Sequence, residues 1–140
     1  MAELRVVSPI VIAVLASAEA IDALRIPKGV ALCRVAPREA LIIRDQGLGS
    51  AALKMKERGA IVEDVSDGWA AFELEGDDAA EAFARLSELE LPEEGFVQGD
   101  VARIGAKVLA APDCITILVP AMLGAFIDER IRTDCAELLT

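Results

Sequence analysis

The sequence predicts an α+β fold, a single domain over residues 1–140 in which helices pack on a mixed or antiparallel sheet. In residues 69–75, apolar residues at every second position are typical of a strand with one buried face. In residues 77–89, apolar residues recur at helical spacing after a cap at Asp77. A chain of 140 residues is long enough to bury an aliphatic core.

Residues 1–29 form an apolar N-terminal segment. Ser8 as cap and Pro9 at the first helical position predict a helix over residues 10–24. A short strand over residues 11–15 is the alternative, because periodicity alone does not assign a brief Val- and Ile-rich run. The apolar run is shorter than the roughly 20 residues of a membrane span. We therefore expect a buried segment rather than a membrane helix or a cleaved signal.

Residues 30–66 form the first half of the predicted sheet. Strands are expected over residues 30–36 and 40–44, joined as a hairpin, and over residues 60–65, with a short helix over residues 50–58 between them. The sequence Gly-Leu-Gly-Ser at 47–50 lacks the third glycine of a dinucleotide loop and the lysine of a nucleotide-binding loop. A turn with a helix cap is favoured over a phosphate cradle.

Residues 67–134 are predicted to form a β-α-β-β-α half of ferredoxin-like order. An acidic loop at residues 92–95 precedes a hairpin of strands over residues 101–110 and 114–119. A closing helix then spans residues 121–131, and the tail from Thr133 is expected to fray. One apolar face of that helix is predicted from the spacing of Met122, Leu123, Phe126, Ile127 and Ile131.

Composition argues against several classes of partner. A net charge of −10 disfavours nucleic acid and anionic membranes, since both require a cationic surface. Histidine is absent, and Cys33, Cys114 and Cys135 are too far apart for a zinc motif or a disulfide framework. We expect no bound metal, buried thiols at Cys33 and Cys114, an exposed thiol at Cys135, and a reducing cytoplasmic location.

A turn before the central strand holds the candidate acidic residues. Asp64 and Asp67 flank Ser66, and Gly68 follows them. The carboxylates form either a small acidic pocket or an Asx-type turn that fixes the strand entrance, and the turn is favoured. Acid–base chemistry would require one raised pKa.

Two further residues are candidates for contact with a partner. Trp69 would point outward with Glu73 and Glu75 if the alternate residues face the core, with partial burial as the alternative. Arg103 stands alone in a predicted apolar strand, so it is either paired or partner-facing, or simply exposed at a sheet edge.

The motif DVSDGWAAFELEGDDAAEAFARLSELEL, closed by Leu-Glu-Leu-Pro at 89–92, resembles a known family. The segment is similar in order to the gamma subunit of heterotetrameric sarcosine oxidase and to the folate-binding half of glycine-cleavage aminomethyltransferases. The resemblance extends over about residues 60–131 through Phe96, Gly99, Ala102, Arg103 and the Val-Pro step at 119–120.

The resemblance implies a non-catalytic accessory subunit in a flavin- and folate-linked amine-oxidising complex. It implies that FAD, FMN, NAD and tetrahydrofolate bind to larger partner subunits, and that this chain has a folate-binding-domain fold without cofactor or catalytic residues of its own. Two alternatives remain open. One is a homodimeric module that senses an amino acid or folate at a turn such as residues 47–50. The other is a minimal folate-dependent one-carbon transferase with Asp64 or Asp67 as its acid.

Overall fold

The computed structural model describes residues 1–44 and 59–140, and it has the predicted α+β fold. Nine strands in the described residues form two antiparallel sheets. The predicted helix over residues 50–58 and the Gly-Leu-Gly-Ser turn at 47–50 lie outside the described residues.

The elements follow one another in this order. The strands are β1 Ala2–Val7, β2 Ile10–Leu15, β3 Val30–Ala36, β4 Glu39–Arg44, β5 Ile61–Asp64, β6 Trp69–Gly76, β7 Gly95–Val101, β8 Ile104–Ala111 and β9 Cys114–Pro120. The α-helices are α1 Ala18–Asp22, α2 Ala79–Leu86 and α3 Gly124–Asp134. Short 3-10 turns span Ser66–Gly68, Ala121–Leu123 and Ala136–Leu138.

One compact unit consists of Met1–Val7 together with Asp67–Thr140. Its five-stranded sheet has the order β1-β6-β9-β8-β7, and every neighbouring pair is antiparallel. Helices α2 and α3 pack on one face, where Phe72 and Leu74 of β6 join Phe83 of α2 and Ile127 of α3 in one hydrophobic core. The alternation predicted for β6 therefore places the expected residues in the core.

Helix α3 approaches β6 closely because residue 124 is glycine. A Cβ atom at Gly124 would lie 2.9 Å from the Cβ of Ala70, closer than such atoms approach in real structures. The same helix contributes Ile127 and Ile131, both with no exposed surface. Burial of those two side chains stabilises the unit by about 3–6 kcal/mol in total.

The second compact unit is Ser8–Ser66. Its four-stranded sheet has the order β3-β4-β2-β5, again with antiparallel neighbours only. Ser17 caps α1 by accepting a hydrogen bond from the backbone N–H of Ala20, so that Ile21 is buried against Val14 and Ile42 of the sheet. The interpretation of residues 1–140 as a single domain stays a prediction.

The N-terminal apolar segment does not form the predicted helix over residues 10–24. It forms β1 and β2, and only Ala18–Asp22 is helical. The alternative strand over residues 11–15 is confirmed within β2. The β-branched run Ile-Val-Ile-Ala-Val favours a strand, and both edges of β2 are paired, by β4 and β5.

The second half contains a strand that was not predicted. Residues 95–101 form β7, so the predicted strand over residues 101–110 begins instead at Ile104 as β8. The predicted hairpin with the next strand is confirmed as the β8–β9 pair. The predicted cap at Asp77 is also wrong. Helix α2 starts after Asp78, whose carboxylate lies 3.3 Å from the Met1 amino group.

Three predictions near the C-terminus are wrong. Met122 and Phe126 do not belong to the buried face of the closing helix, since they are 88% and 48% exposed. Cys135 is fully buried and donates from Sγ to the carbonyl of Ala82 at 3.3 Å. The tail does not fray, because the backbone N–H of Thr140 donates to the carbonyl of Ala2 at 2.9 Å.

Candidate functional site

The turn after β5 is built around Ser66. Its hydroxyl donates to Oδ1 of Asp64 at 2.6 Å, and its backbone N–H donates to the same atom at 2.9 Å. The Ser66 hydroxyl oxygen also accepts from the backbone N–H of Val11 at 2.8 Å. The bond from a carboxylate to the N–H two residues later is the Asx-type turn that the sequence favours at this position.

These hydrogen bonds affect the pKa of the Asp64 carboxyl. The hydroxyl of Ser66, followed by its backbone N–H, lowers the pKa of the Asp64 carboxyl below its ordinary value by stabilising the ionised form. A proton donor at neutral pH requires the opposite shift. Asp64 is therefore a structural carboxylate that holds the end of β5, and it is poorly suited to act as a general acid.

The other residues of the motif turn are exposed or half-buried. Asp67 and Gly68 are exposed in the 3-10 turn. Trp69 is half-buried and begins β6, opposite Pro120 of β9. By strand alternation Trp69 shares a sheet face with Glu73 rather than with the core residue Phe72. Its role as a partner contact stays a prediction.

The same sheet face carries an exposed ion pair. Arg5 of β1 donates to Glu73 at 3.2 Å and to Glu75 of β6 at closer range. Coulombic attraction by Glu75 raises the pKa of Arg5, so the guanidinium stays charged. Both glutamates of the predicted outward face are thus paired within the sheet.

Arg103 does not lie in a strand. It occupies the two-residue turn between β7 and β8, where Ala102 and Arg103 have φ of 49° and 69°. Positive φ at both central residues defines the hairpin turn that normally selects Asn-Gly or Asp-Gly. The backbone N–H of Ala102 donates to the carbonyl of Leu86 at 2.7 Å, which anchors this turn to the end of α2.

A cleft of about 440 Å³ lies beside that turn. Its lining comes from the turn and from α2 and α3: Arg85, Leu86, Ala102, Arg103, Phe126, Arg130 and Asp134. Three of these side chains are arginines, in a chain whose net charge is −10. The half-exposed ring of Phe126 gives the cleft an apolar wall beside the cationic groups.

Two of the three arginines have partners of their own. Arg85 forms a close ion pair with Glu137, which raises the pKa of Arg85 and lowers the pKa of Glu137. Arg130 lies 2.7 Å from Asp134. By contrast, Arg103 forms no ion pair or hydrogen bond with any side chain or backbone group in residues 1–44 and 59–140.

The structure brings Asp64 and Ser66 into one hydrogen-bonded turn, and it places Trp69 and Arg103 on different sides of the five-stranded sheet. Trp69 shares the face of Glu73, whereas Arg103 lines the cleft formed with α2 and α3. The sequence reasoning did not identify Phe126 or Arg130 as cleft residues. Their spacing of four residues on one helix is the only signal that could have paired them.

In the described parts of the chain, no three His, Cys, Asp or Glu side chains are grouped so that they could hold a metal ion. Within residues 1–44 and 59–140, no helix is both long and apolar enough to cross a membrane.

The arrangement of two antiparallel sheets with helices on the larger one defines the class of this chain as an α+β protein. More particularly, it is similar to a chain of heterotetrameric sarcosine oxidase from Corynebacterium sp. U-96, determined in complex with pyrrole 2-carboxylate. The TM-score is 0.80 at 16% identity, over 97% of this chain and 84% of that chain. The resemblance to sarcosine oxidase seen in the sequence is thus confirmed as a shared fold.

A weaker similarity is to aspartokinase III of E. coli in complex with lysine and aspartate, with a TM-score of 0.45 at 14% identity. It covers 94% of this chain and 32% of that chain. No protein-family model matches the sequence, and no curated protein matches it either.

Proposed function

We propose that this chain is a non-catalytic accessory subunit, of the gamma type, in a heteromeric sarcosine-oxidase-type complex that oxidises an amine. The observation that carries the proposal is the similarity in fold to the sarcosine oxidase chain, which covers 97% of this chain and 84% of that chain. In this proposal, larger subunits bind FAD, FMN, NAD and tetrahydrofolate, and the complex works in the cytoplasm. The fold itself would be that of an aminomethyltransferase folate-binding domain.

The chemistry of the motif turn supports an accessory role over a catalytic one. A one-carbon transferase would need a protonated acid, and Asp64 is held in its ionised form by two hydrogen bonds from Ser66. Asp67 is the remaining candidate acid. Under the accessory-subunit proposal, Asp67→Asn leaves the amine-oxidising turnover of the complex unchanged, whereas a transferase that used Asp67 would lose turnover.

Capture of the chain from its own cells tests the proposal. A tag joined after Thr140 by a flexible linker preserves the contact between Thr140 and Ala2. We expect the captured material to contain large flavin-coloured chains, and light scattering after size exclusion to report one hetero-oligomer. A colourless monomer would refute the proposal, and a colourless homodimer would favour the sensing module instead.

A fold-disrupting variant provides the control for this capture. Gly124→Leu places side-chain atoms where even a Cβ lies 2.9 Å from Ala70, so α3 cannot pack on β6 as it does here. Flavin-coloured chains that co-purify with this variant as well as with the natural chain would be bound non-specifically. Such a result would remove the support that co-purification gives.

A further inference from the structure

Large apolar side chains are exposed at the start of the closing helix and in the turn before it. Met122 lies in the 3-10 turn Ala121–Leu123 that leads into α3 and is 88% exposed, and Phe126 of α3 is 48% exposed. Arg130 follows Phe126 four residues later on the same side of α3. The opposite side is fixed in the core by Ile127 and Ile131. An exposed row of large apolar residues that ends in arginine has the composition of an interface.

The row joins the cleft at Phe126 and Arg130, and Arg103 lies across from them. Arg85 and Arg130 are neutralised locally by Glu137 and Asp134. Arg103 has no such partner in the described ranges 1–44 and 59–140. The cleft therefore presents one uncompensated guanidinium beside an exposed aromatic ring.

The backbone at Arg103 adds an independent argument. A non-glycine residue at positive φ is strained because its Cβ lies close to the following carbonyl oxygen, and Ala102 and Arg103 both adopt that conformation. Glycine at residue 103 would remove the strain there. Strain of this kind is retained where a side chain is required for something other than stability.

We infer that Arg103, Phe126 and Met122 form a docking surface for a segment of a different protein chain in which Asp or Glu neighbours an apolar residue. The carboxylate pairs with the Arg103 guanidinium, because the planar fork of N–H donors matches the two oxygens of a carboxylate. The apolar neighbour packs on Phe126 and Met122. The inference rests on the proposed function, since a subunit of a hetero-oligomer must meet another chain.

A second copy of this chain is a poor occupant. Each copy carries a net charge of −10, and the association of two such copies is opposed by their mutual repulsion. A free small anion is also disfavoured, because a single uncompensated charge in an open cleft gives little affinity without further contacts. A protein segment supplies the carboxylate and the apolar contact together.

Site-specific photocrosslinking in the organism's own cells tests the inference on the full chain. Benzoylphenylalanine replaces Phe126, and in a control strain it replaces Arg132, which is on α3 but does not line the cleft. We expect the probe at residue 126, and not at residue 132, to link to a segment of another chain that contains Asp or Glu beside an apolar residue. Adding Arg103→Glu should lower the yield about tenfold.

Arg132→Glu makes the same change in net charge and breaks only the pair between Arg132 and Asp128, so it should leave the yield within about twofold. Arg103→Glu both removes a positive charge and adds a negative one, whereas Arg103→Gln only removes the positive charge. Comparing their crosslinking yields separates lost attraction from new repulsion. The inference is overturned if no adduct forms, if the adduct is with a second copy, if the linked segment lacks an acid, or if Arg103→Glu acts no more strongly than Arg132→Glu. An adduct with an acidic segment of a chain outside any amine oxidase would refute the proposed function and leave the docking surface standing.

Discussion

The turn at Ser66 and the turn at Ala102–Arg103 differ in the hydrogen bonds of their side chains and in the φ values of their backbones. At Ser66, the side chain satisfies Asp64 and the backbone of Val11, and neither Asp64 nor Ser66 has positive φ. At Ala102–Arg103, both residues have positive φ and the arginine has no partner in the described chain. The turn at Ser66 stabilises the fold. The turn at Ala102–Arg103 is strained, so it lowers the stability of the fold while it holds a charged side chain in place.

The largest expected difference between the two turns is in the loss of folding stability when Ser66 or Arg103 is replaced by alanine. Ser66→Ala removes the hydroxyl that donates to Asp64 and accepts from Val11, and it leaves the Val11 N–H without its acceptor. We therefore expect the free energy of unfolding to fall by about 1–3 kcal/mol. Arg103→Ala removes no ion pair or hydrogen bond within the described residues and should change the free energy of unfolding by less than about 0.5 kcal/mol. Urea denaturation monitored by Trp69 fluorescence measures both. Equal losses for the two variants would contradict the comparison.

The strained turn should become more stable when its sequence matches its backbone. Replacing Ala102→Asn together with Arg103→Gly relieves two unfavourable φ values at the entropic cost of one glycine, a net gain of about 1 kcal/mol. The matched control is Pro112→Asn with Asp113→Gly in the β8–β9 turn, where neither residue has positive φ. We expect a higher thermal midpoint for the first pair and a lower one for the second.

The double variant Ala102→Asn with Arg103→Gly should also bind the proposed acidic segment more weakly. Removal of the Arg103 guanidinium takes away the charge proposed to bind an acidic segment, so crosslinking from residue 126 should fall while stability rises. Opposite changes in stability and binding distinguish a side chain kept for binding from one kept for the fold. A variant that is more stable and still binds at full strength would show that the strain at Arg103 has no such purpose.

Elements with a clear period of two were predictable from the sequence. Strand β3 has the predicted bounds and β6 has the predicted buried face, because each carries local alternation or β-branched residues between turn signals. Strand β7 was missed since its glycines and polar residues, Gly95, Gly99 and Asp100, are typical of a loop. It is an edge strand held by pairing with β8 on one side, a contact that local sequence does not reveal.

The closing helix shows why the candidate site was harder to predict than the fold. Met122, Phe126, Ile127 and Ile131 fit one broad apolar stripe, and the sequence alone does not say where along that stripe the sheet makes contact. The close approach at Gly124 turns Ile127 and Ile131 inward and leaves Met122 and Phe126 outside. The cleft then forms from residues that are distant in sequence, so spacing gives no signal for it.

The smallest expected difference between the turns is in their response to pH. The folded pKa of Asp64 lies below the ordinary value of 3.8, so its contribution to stability is present above that pH and is lost as the pH falls through the folded pKa. Asp64→Asn should therefore be less stable than the natural chain near neutral pH, and the difference should shrink in strongly acid solution. Asp67→Asn, which removes a neighbouring carboxylate that does not bond Ser66 in the described structure, is the control. A difference that stayed constant from about pH 6 to about pH 2.5 would mean that the ionised form of Asp64 is not what holds the turn.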